Sequence, residues 1–148
     1  MWFSKKEAIN TPYKASNGDL TTKPPTKSVG DAAEALALAH LRKAGLRLMQ
    51  SNYRTPGRGG GEIDLIMTEP DGTLVFIEVR QRASQSHGGA GASISAVKQR
   101  RIVFAARHYL MRYKTLPPCR FDVVLIQGRV GGSASPDIEW LRSAFDAY

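Results

Sequence analysis

The stretch around which the pattern of this chain is organised is GEIDLIMTEPDGTLVFIEVRQR, residues 61–82. Two runs rich in Ile, Leu, Val and Phe, 62–68 and 73–81, flank Pro70-Asp71-Gly72. Composition of this kind marks β-strands. Three loop residues ending in Gly suit a type I turn followed by a left-handed residue. That loop pairs Glu69 with Thr73, and counting inward sets Asp64 opposite Glu78 and Glu62 opposite Arg80. Directly paired residues share a sheet face. The register therefore predicts Asp64, Glu78 and Arg80 on one face, at the end of the hairpin remote from its turn.

Around this hairpin the pattern alternates between helical and strand periods. DAAEALALAHLRKA carries helical spacing, with Ser28 and Asp31 as a capping-box variant and Gly45 suited to the C′ position. Glu34, Leu38 and Leu41 share one face, so Glu34 heads a stripe expected to point inward. The other reading of Glu34 is an acid favoured by the helix dipole. Residues 46–54 read as a first strand. TPGRGGG, 55–61, reads as a mobile loop with Arg58 available to a phosphate. It lacks Gly-Lys-Ser/Thr and leads into a strand, so a nucleotide P-loop is rejected. Residues 83–91 form another loop, holding His87.

A second helix is expected from Ser93 or Ser95 to about Tyr113, burying Ile102, Ala105, Ala106, Tyr109, Leu110 and Tyr113. Lys98, Arg100, Arg101, Arg107 and Arg112 decorate its remainder. Lys98 and Arg101, one turn apart near the helix start, are placed to hold a phosphate jointly. RFDVVLIQ, 120–127, is apolar enough for a central strand, and 138–142 makes a short last one. A helix crossing between the strand of Glu78 and that of Asp122 implies a parallel pair in an otherwise antiparallel sheet. The fold class is α/β, a mixed β-sheet flanked by helices.

The chain has 148 residues, a single-domain length. Residues 1–27 show no periodicity and contain Pro24-Pro25, so they read as a flexible basic extension ahead of a domain at 28–148. No apolar run approaches the roughly 20 residues of a membrane span. The N-terminus has no secretory h-region. Cys119 stands alone, excluding an internal disulfide or a cysteine zinc cluster, and His40 and His108 form no ligand pair. A cytoplasmic location with no membrane partner is expected. Lys and Arg outnumber Asp and Glu 21 to 13, a formal charge of +8. That excess points to a polyanion, nucleic acid ahead of an anionic membrane surface.

Two facing carboxylates repel unless a cation or a shared proton offsets them. Asp64 and Glu78 are hard oxygen ligands suited to Mg²⁺ or Mn²⁺. An ion there polarises a phosphoryl oxygen and activates water, and a nearby Arg80 or Lys98 would stabilise charge on the phosphate. The competing reading is an exposed Glu62–Arg80 pair, worth under about 1 kcal/mol.

GEIDLI, then VFIEVRQR, then Lys98 on a helix, then RFDVV, resembles the YraN-type endonuclease-like family. That family belongs to the PD-(D/E)xK restriction-endonuclease-like superfamily and is related to archaeal Holliday junction resolvases. The resemblance covers about residues 29–148 and implies a restriction-endonuclease-like core. It implies a metal-dependent endonuclease acting on DNA, branched or damaged DNA included, in repair or recombination. By resemblance, Asp64 and Glu78 are the motif's acids, Glu34 completes the metal site from the first helix, and the Val79 carbonyl is a further ligand. Arg80 stands where the superfamily has lysine. Arginine cannot serve as a base but can hold the phosphate, which makes Lys98 a candidate substitute. Arg58, Lys98, Arg100 and Arg101 are the expected contacts to DNA. Asp122 matches a family signature without an assigned role. A catalytically inactive nucleic-acid-binding module is the alternative, and a protein–protein adaptor using the basic helix the third reading. A twofold dimer would suit symmetrical junctions, as in resolvase relatives.

Overall fold

The computed structural model describes residues 26–82, 94–128, 130, 131 and 134–147. The elements run α1 (Thr26–Lys43), β1 (Arg47–Arg54), β2 (Glu62–Thr68), β3 (Leu74–Arg82), α2 (Ala96–Leu110), β4 (Cys119–Gln127) and β5 (Asp137–Phe145). They form one five-stranded sheet in the order β1-β2-β3-β4-β5. Every neighbouring pair is antiparallel except β3 and β4, which are parallel and joined by the α2 crossover. The expected mixed sheet between helices is therefore what the chain forms. His87 and all of residues 1–25 lie outside the described residues.

Strand alternation sorts the core onto two sides. Val75 and Ile77 of β3 point with Leu65, Met67, Val124 and Ile126 toward α1, where Ala33, Ala37 and Leu41 are buried. Leu74 and Phe76 point the other way, with Ile66, Phe121 and Val123, toward Ile102, Ala105, Ala106 and Tyr109 of α2. Period two on the strands and period 3.6 on the helices thus meet at two apolar layers.

Helix ends follow local chemistry, with some departures from expectation. Gly45 adopts φ +102°. Its N–H donates to the Arg42 carbonyl at 3.0 Å and that of Leu46 to the Leu41 carbonyl at 3.1 Å. This is the Schellman arrangement expected at that glycine. Helix α1 begins at Thr26, so Ser28 is inside the helix rather than its N-cap. The sequence Pro24-Pro25 just ahead is compatible with a helix start, where N–H groups lack intrahelical partners. Its inward stripe is Ala33-Ala37-Leu41, which leaves Glu34 and Leu38 half-buried on the flank. Ser95 caps α2, its side chain accepting from the Lys98 N–H at 3.2 Å. That helix stops at Leu110, short of Tyr113, which packs on the core from the following turn. Strand β5 extends past residue 142: a register shift between Phe121 and Val123, with Ser143 at φ +51°, lets Phe145 pair opposite Phe121.

Candidate active site

The hairpin loop forms as its composition dictates. The Glu69 N–H donates to the Thr73 carbonyl and the Gly72 N–H to the Glu69 carbonyl, each at 2.9 Å. Gly72 is left-handed at φ +92°. From there the ladder runs Thr68↔Leu74 to Leu65↔Ile77, the register expected, and stops before Asp64. Beyond that point Asp64 Oδ2 accepts the Val79 N–H at 2.8 Å. A side-chain carboxylate has replaced the backbone partner where the two strands part. Across β1, Asn52 sits between the Ser51↔Leu65 and Tyr53↔Ile63 pairs with φ +51°. Glu62, beyond the last β2–β3 pair, stands opposite Arg54 on β1 and pairs with it at 3.4 Å, both exposed.

Asp64 and Glu78 nonetheless meet. They line one cavity of about 440 Å³ together with Gly60, Glu62, Lys98 and Arg101. Glu78 is only 4% exposed. Burial, followed by the charge of Asp64, pushes its carboxyl up to about 7. Burial also raises Asp64, while the Val79 N–H and a hydrogen bond from Glu78 hold it down. Glu78 is thus the member of the pair that keeps the proton, and Asp64 the one that accepts it. The Lys98 ammonium forms a salt bridge with Glu78 Oε1. Lys98 is thus the cation that relieves the facing acids, and the raised Glu78 carboxyl favours a shared proton beside it.

Two further contacts fix α2 over this pair. The Gly61 N–H donates to Thr55 Oγ1 at 2.8 Å, and the Thr55 N–H to the Gly61 carbonyl at 3.1 Å. A side-chain carbon on Gly61 would stand 1.8 Å from the Arg101 carbonyl oxygen. Only glycine permits this approach, which seats the base of the 55–61 loop directly on α2. A loop expected to be mobile is therefore pinned at its base.

The other expected site residues are spread more widely. Glu34 lies in a separate recess with Asp31, Leu38, Asn52 and Leu65. Its carboxyl is raised, first by burial and then by the Asp64 charge, so it senses the acidic pair. Among the described residues no three His, Cys, Asp or Glu side chains are grouped to hold a metal ion. The structure brings Asp64 and Glu78 together and leaves Glu34 outside their cavity. Val79 engages Asp64 through its N–H. Arg80 is half-buried on β3, paired with Leu125, and is not part of the cavity lining. Of the expected DNA contacts, Lys98 and Arg101 line the cavity, whereas Arg58 and Arg100 are exposed away from it.

Asp122 has a structural explanation. Its carboxylate is fully buried and accepts from Arg120 Nε at 3.0 and 3.1 Å, Trp140 Nε1 at 2.9 Å and the Ser143 N–H at 2.9 Å. Arg120 also donates to Glu69 Oε1 at 2.8 Å, which holds the Glu69 carboxyl below its usual range. The acid in RFDVV ties β4 and β5 at their bulge to the hairpin turn. Gly61 and Thr55 had no separable signal in a glycine-rich run.

An acidic pair at the open end of a central hairpin, faced by a lysine from the crossover helix of a mixed sheet, defines an α/β protein with a restriction-endonuclease-like core. The chain belongs to the YraN family: the model of the Uncharacterised protein family UPF0102 matches residues 33–126. A UPF0102 protein of Polaromonas naphthalenivorans (strain CJ2) is 67% identical over 99% of each chain. One from Polaromonas sp. (strain JS666 / ATCC BAA-500) is 59% identical over 99% of each. Another, from Cupriavidus taiwanensis, is 54% identical over 86% of this chain and 89% of its own. No helix among the described residues is long and apolar enough to cross a membrane.

Proposed function

We propose that this protein is a divalent-metal-dependent endonuclease that hydrolyses phosphodiester bonds in DNA. The observation that carries the reading is the Asp64–Glu78–Lys98 cluster: a buried and a half-buried carboxyl lining one cavity, with an ammonium on the buried one. Neighbouring carboxyls raised by burial, Glu78 by the charge of Asp64 as well, suit a hard cation. When bound, such an ion supplies Lewis acidity toward phosphate and water. Asp64 and Glu78 would hold Mg²⁺ or Mn²⁺.

The chain's own residues do the rest. The Val79 N–H orients the Asp64 carboxylate. Lys98, half-exposed on α2 and paired with Glu78, would be free to hold a phosphate oxygen if a metal ion took that carboxylate. It thereby supplies from α2 the ammonium that β3 lacks at Arg80. Arg101 lines the same cavity and holds the flanking backbone, a contact that positions DNA without reading its sequence. Arg80, one pleat beyond Glu78, is the further phosphate holder.

The test is a cleavage panel of labelled four-way, flapped and duplex DNA with Mg²⁺ or Mn²⁺. Metal-stimulated cleavage, lost in Asp64→Ala and Glu78→Ala with binding retained, is the expected result. Binding of DNA without cleavage of any substrate would overturn hydrolysis and favour a binding module of the same fold. The Lys98–Glu78 pair motivates that second reading, because it already balances the buried acid without a metal.

A further inference from the structure

We infer that the outer face of α2 is a track for an unpaired stretch of DNA adjoining the acidic cavity, its bases stacking on Phe104 and its phosphates held by Arg100, Arg101 and Arg107. This deepens the nuclease reading and rests on it for the position of the strand. Val97, Phe104 and Met111 lie two helical turns apart and are 52%, 54% and 80% exposed. The buried face of α2 is already complete with Ile102, Val103, Ala105, Ala106 and Tyr109. An amphipathic helix on a sheet needs one apolar stripe, and this one carries a second, facing solvent.

What flanks that stripe identifies its occupant. Arg100, Arg101 and Arg107 stand beside Phe104, and among the described residues none of them forms a salt bridge. The track is continuous with the site: Val97 and Arg101 line the acidic cavity. Phe104, Arg100 and Arg107 line the next recess along the helix, about 490 Å³, with Asp146 on its wall. One acid there leaves the arginines in excess.

A second copy of the chain is disfavoured, because pairing two such helices sets arginine against arginine. A duplex offers phosphates to the arginines but nothing to an exposed ring. An unpaired base offers a π-face to both Phe104 and the guanidinium groups.

The test measures binding by fluorescence anisotropy in chelator, with a single-stranded oligonucleotide, a blunt duplex of the same length and a single-stranded RNA of the same sequence. Phe104→Ala is expected to weaken single-stranded DNA by roughly 5- to 150-fold and leave duplex affinity within about twofold. Phe104→Trp keeps the affinity. Arg100→Gln with Arg107→Gln weakens both DNAs and flattens the salt dependence, by about 0.7 in log–log slope for each phosphate of the single strand that is no longer neutralised. Because Phe104 is on the surface, the variants fold, which circular dichroism checks.

The track is overturned by an equal effect of Phe104→Ala on single strand and duplex, or by none. Self-association abolished by Phe104→Ala, an acidic polypeptide competing as well as DNA, or a preference for the RNA would also overturn it. Phe104-dependent single-strand binding without metal-stimulated cleavage removes hydrolysis and keeps the track. Undiminished cleavage of an unpaired substrate by Phe104→Ala removes the track and keeps hydrolysis.

Discussion

Replacing Glu78 with glutamine should stabilise the metal-free protein at alkaline pH. Its carboxyl is 4% exposed and is pushed from an ordinary 4.5 to about 7 by burial and by Asp64. An unfolded chain loses this proton near 4.5, a folded one only near 7. Between those values the native state binds more protons than the unfolded state, so stability falls as pH rises through the window and stays low above it. The displacement amounts to about 3 kcal/mol, at roughly 1.4 kcal/mol per pH unit.

Glutamine has the same shape, carries no charge and can still donate to Asp64, so it removes most of that penalty. A gain of about 2–3 kcal/mol at about pH 8, or about 5–10 °C in Tm, is expected for a chain of this size. At pH 4.5, where wild-type Glu78 is protonated too, the difference should vanish. Losing the Lys98 partner subtracts little, because that side chain is 54% exposed and water takes over. The assay is urea denaturation in chelator, followed by far-UV circular dichroism across this range. A variant less stable than wild type at alkaline pH, or shifted equally at every pH, would refute the reasoning. Glu78 would then be ionised at neutral pH and its ion pair a net source of stability.

Asp122→Ala should cost about 3–5 kcal/mol, since it removes the fully buried carboxylate that Arg120, Trp140 and the Ser143 N–H share, and denaturation midpoints would show it. Gly61→Ala, which drives a methyl group into the Arg101 carbonyl, should cost about 2 kcal/mol or more. Gly72→Ala, with open space but φ +92°, should cost only about 1–2 kcal/mol. Equal losses at the two glycines would show that α2 does not press on the 55–61 loop. Lys98→Met should move the Glu78 titration, followed by carboxyl ¹³C NMR, upward from about 7, because the hydrogen bond and charge of Lys98 are what lower it. An unchanged midpoint would refute the ion pair.

The hairpin and its acids were legible because local signals agree: two β-rich runs, a Pro-Asp-Gly loop and a register that a three-residue loop imposes. That register held from the turn to Leu65↔Ile77. It ends before Asp64, whose side chain takes the Val79 N–H, a contact that no count along β2 and β3 contains. Glu34 lies off the buried stripe because small Ala33 and Ala37 let α1 approach the sheet on the neighbouring one, a choice that helical spacing alone does not make. Lys98 was recognisable as a cation near a helix start, but its distance from Glu78 is a tertiary quantity. Asp122 stood out only as part of the RFDVV signature that the family resemblance carries. Its role depends on a bulge between strands separated by a loop, invisible in spacing.

The delivery of Lys98 follows from topology more than from any motif. A parallel β3–β4 pair needs a crossover, and the crossover helix must lie on the sheet face toward which Glu78 points by alternation from Phe76. Its first turn then passes over the end of the hairpin where β2 and β3 separate. Ser95 sets where that turn begins, and the contact of Gly61 with the Arg101 carbonyl sets how close it comes. With both fixed, the residue three past the cap reaches the buried carboxyl. A lysine on the strand itself, two residues after Glu78, would stand on the same face of β3, beside that cavity. On the proposed nuclease reading the arginine at that position and the lysine at 98 exchange roles between neighbouring elements, and a swap variant, Arg80→Lys with Lys98→Ala, should retain metal-stimulated cleavage where Lys98→Ala alone loses it. If the swap is as inactive as the single change, the ammonium must come from α2, and strand and helix are not interchangeable sources of it.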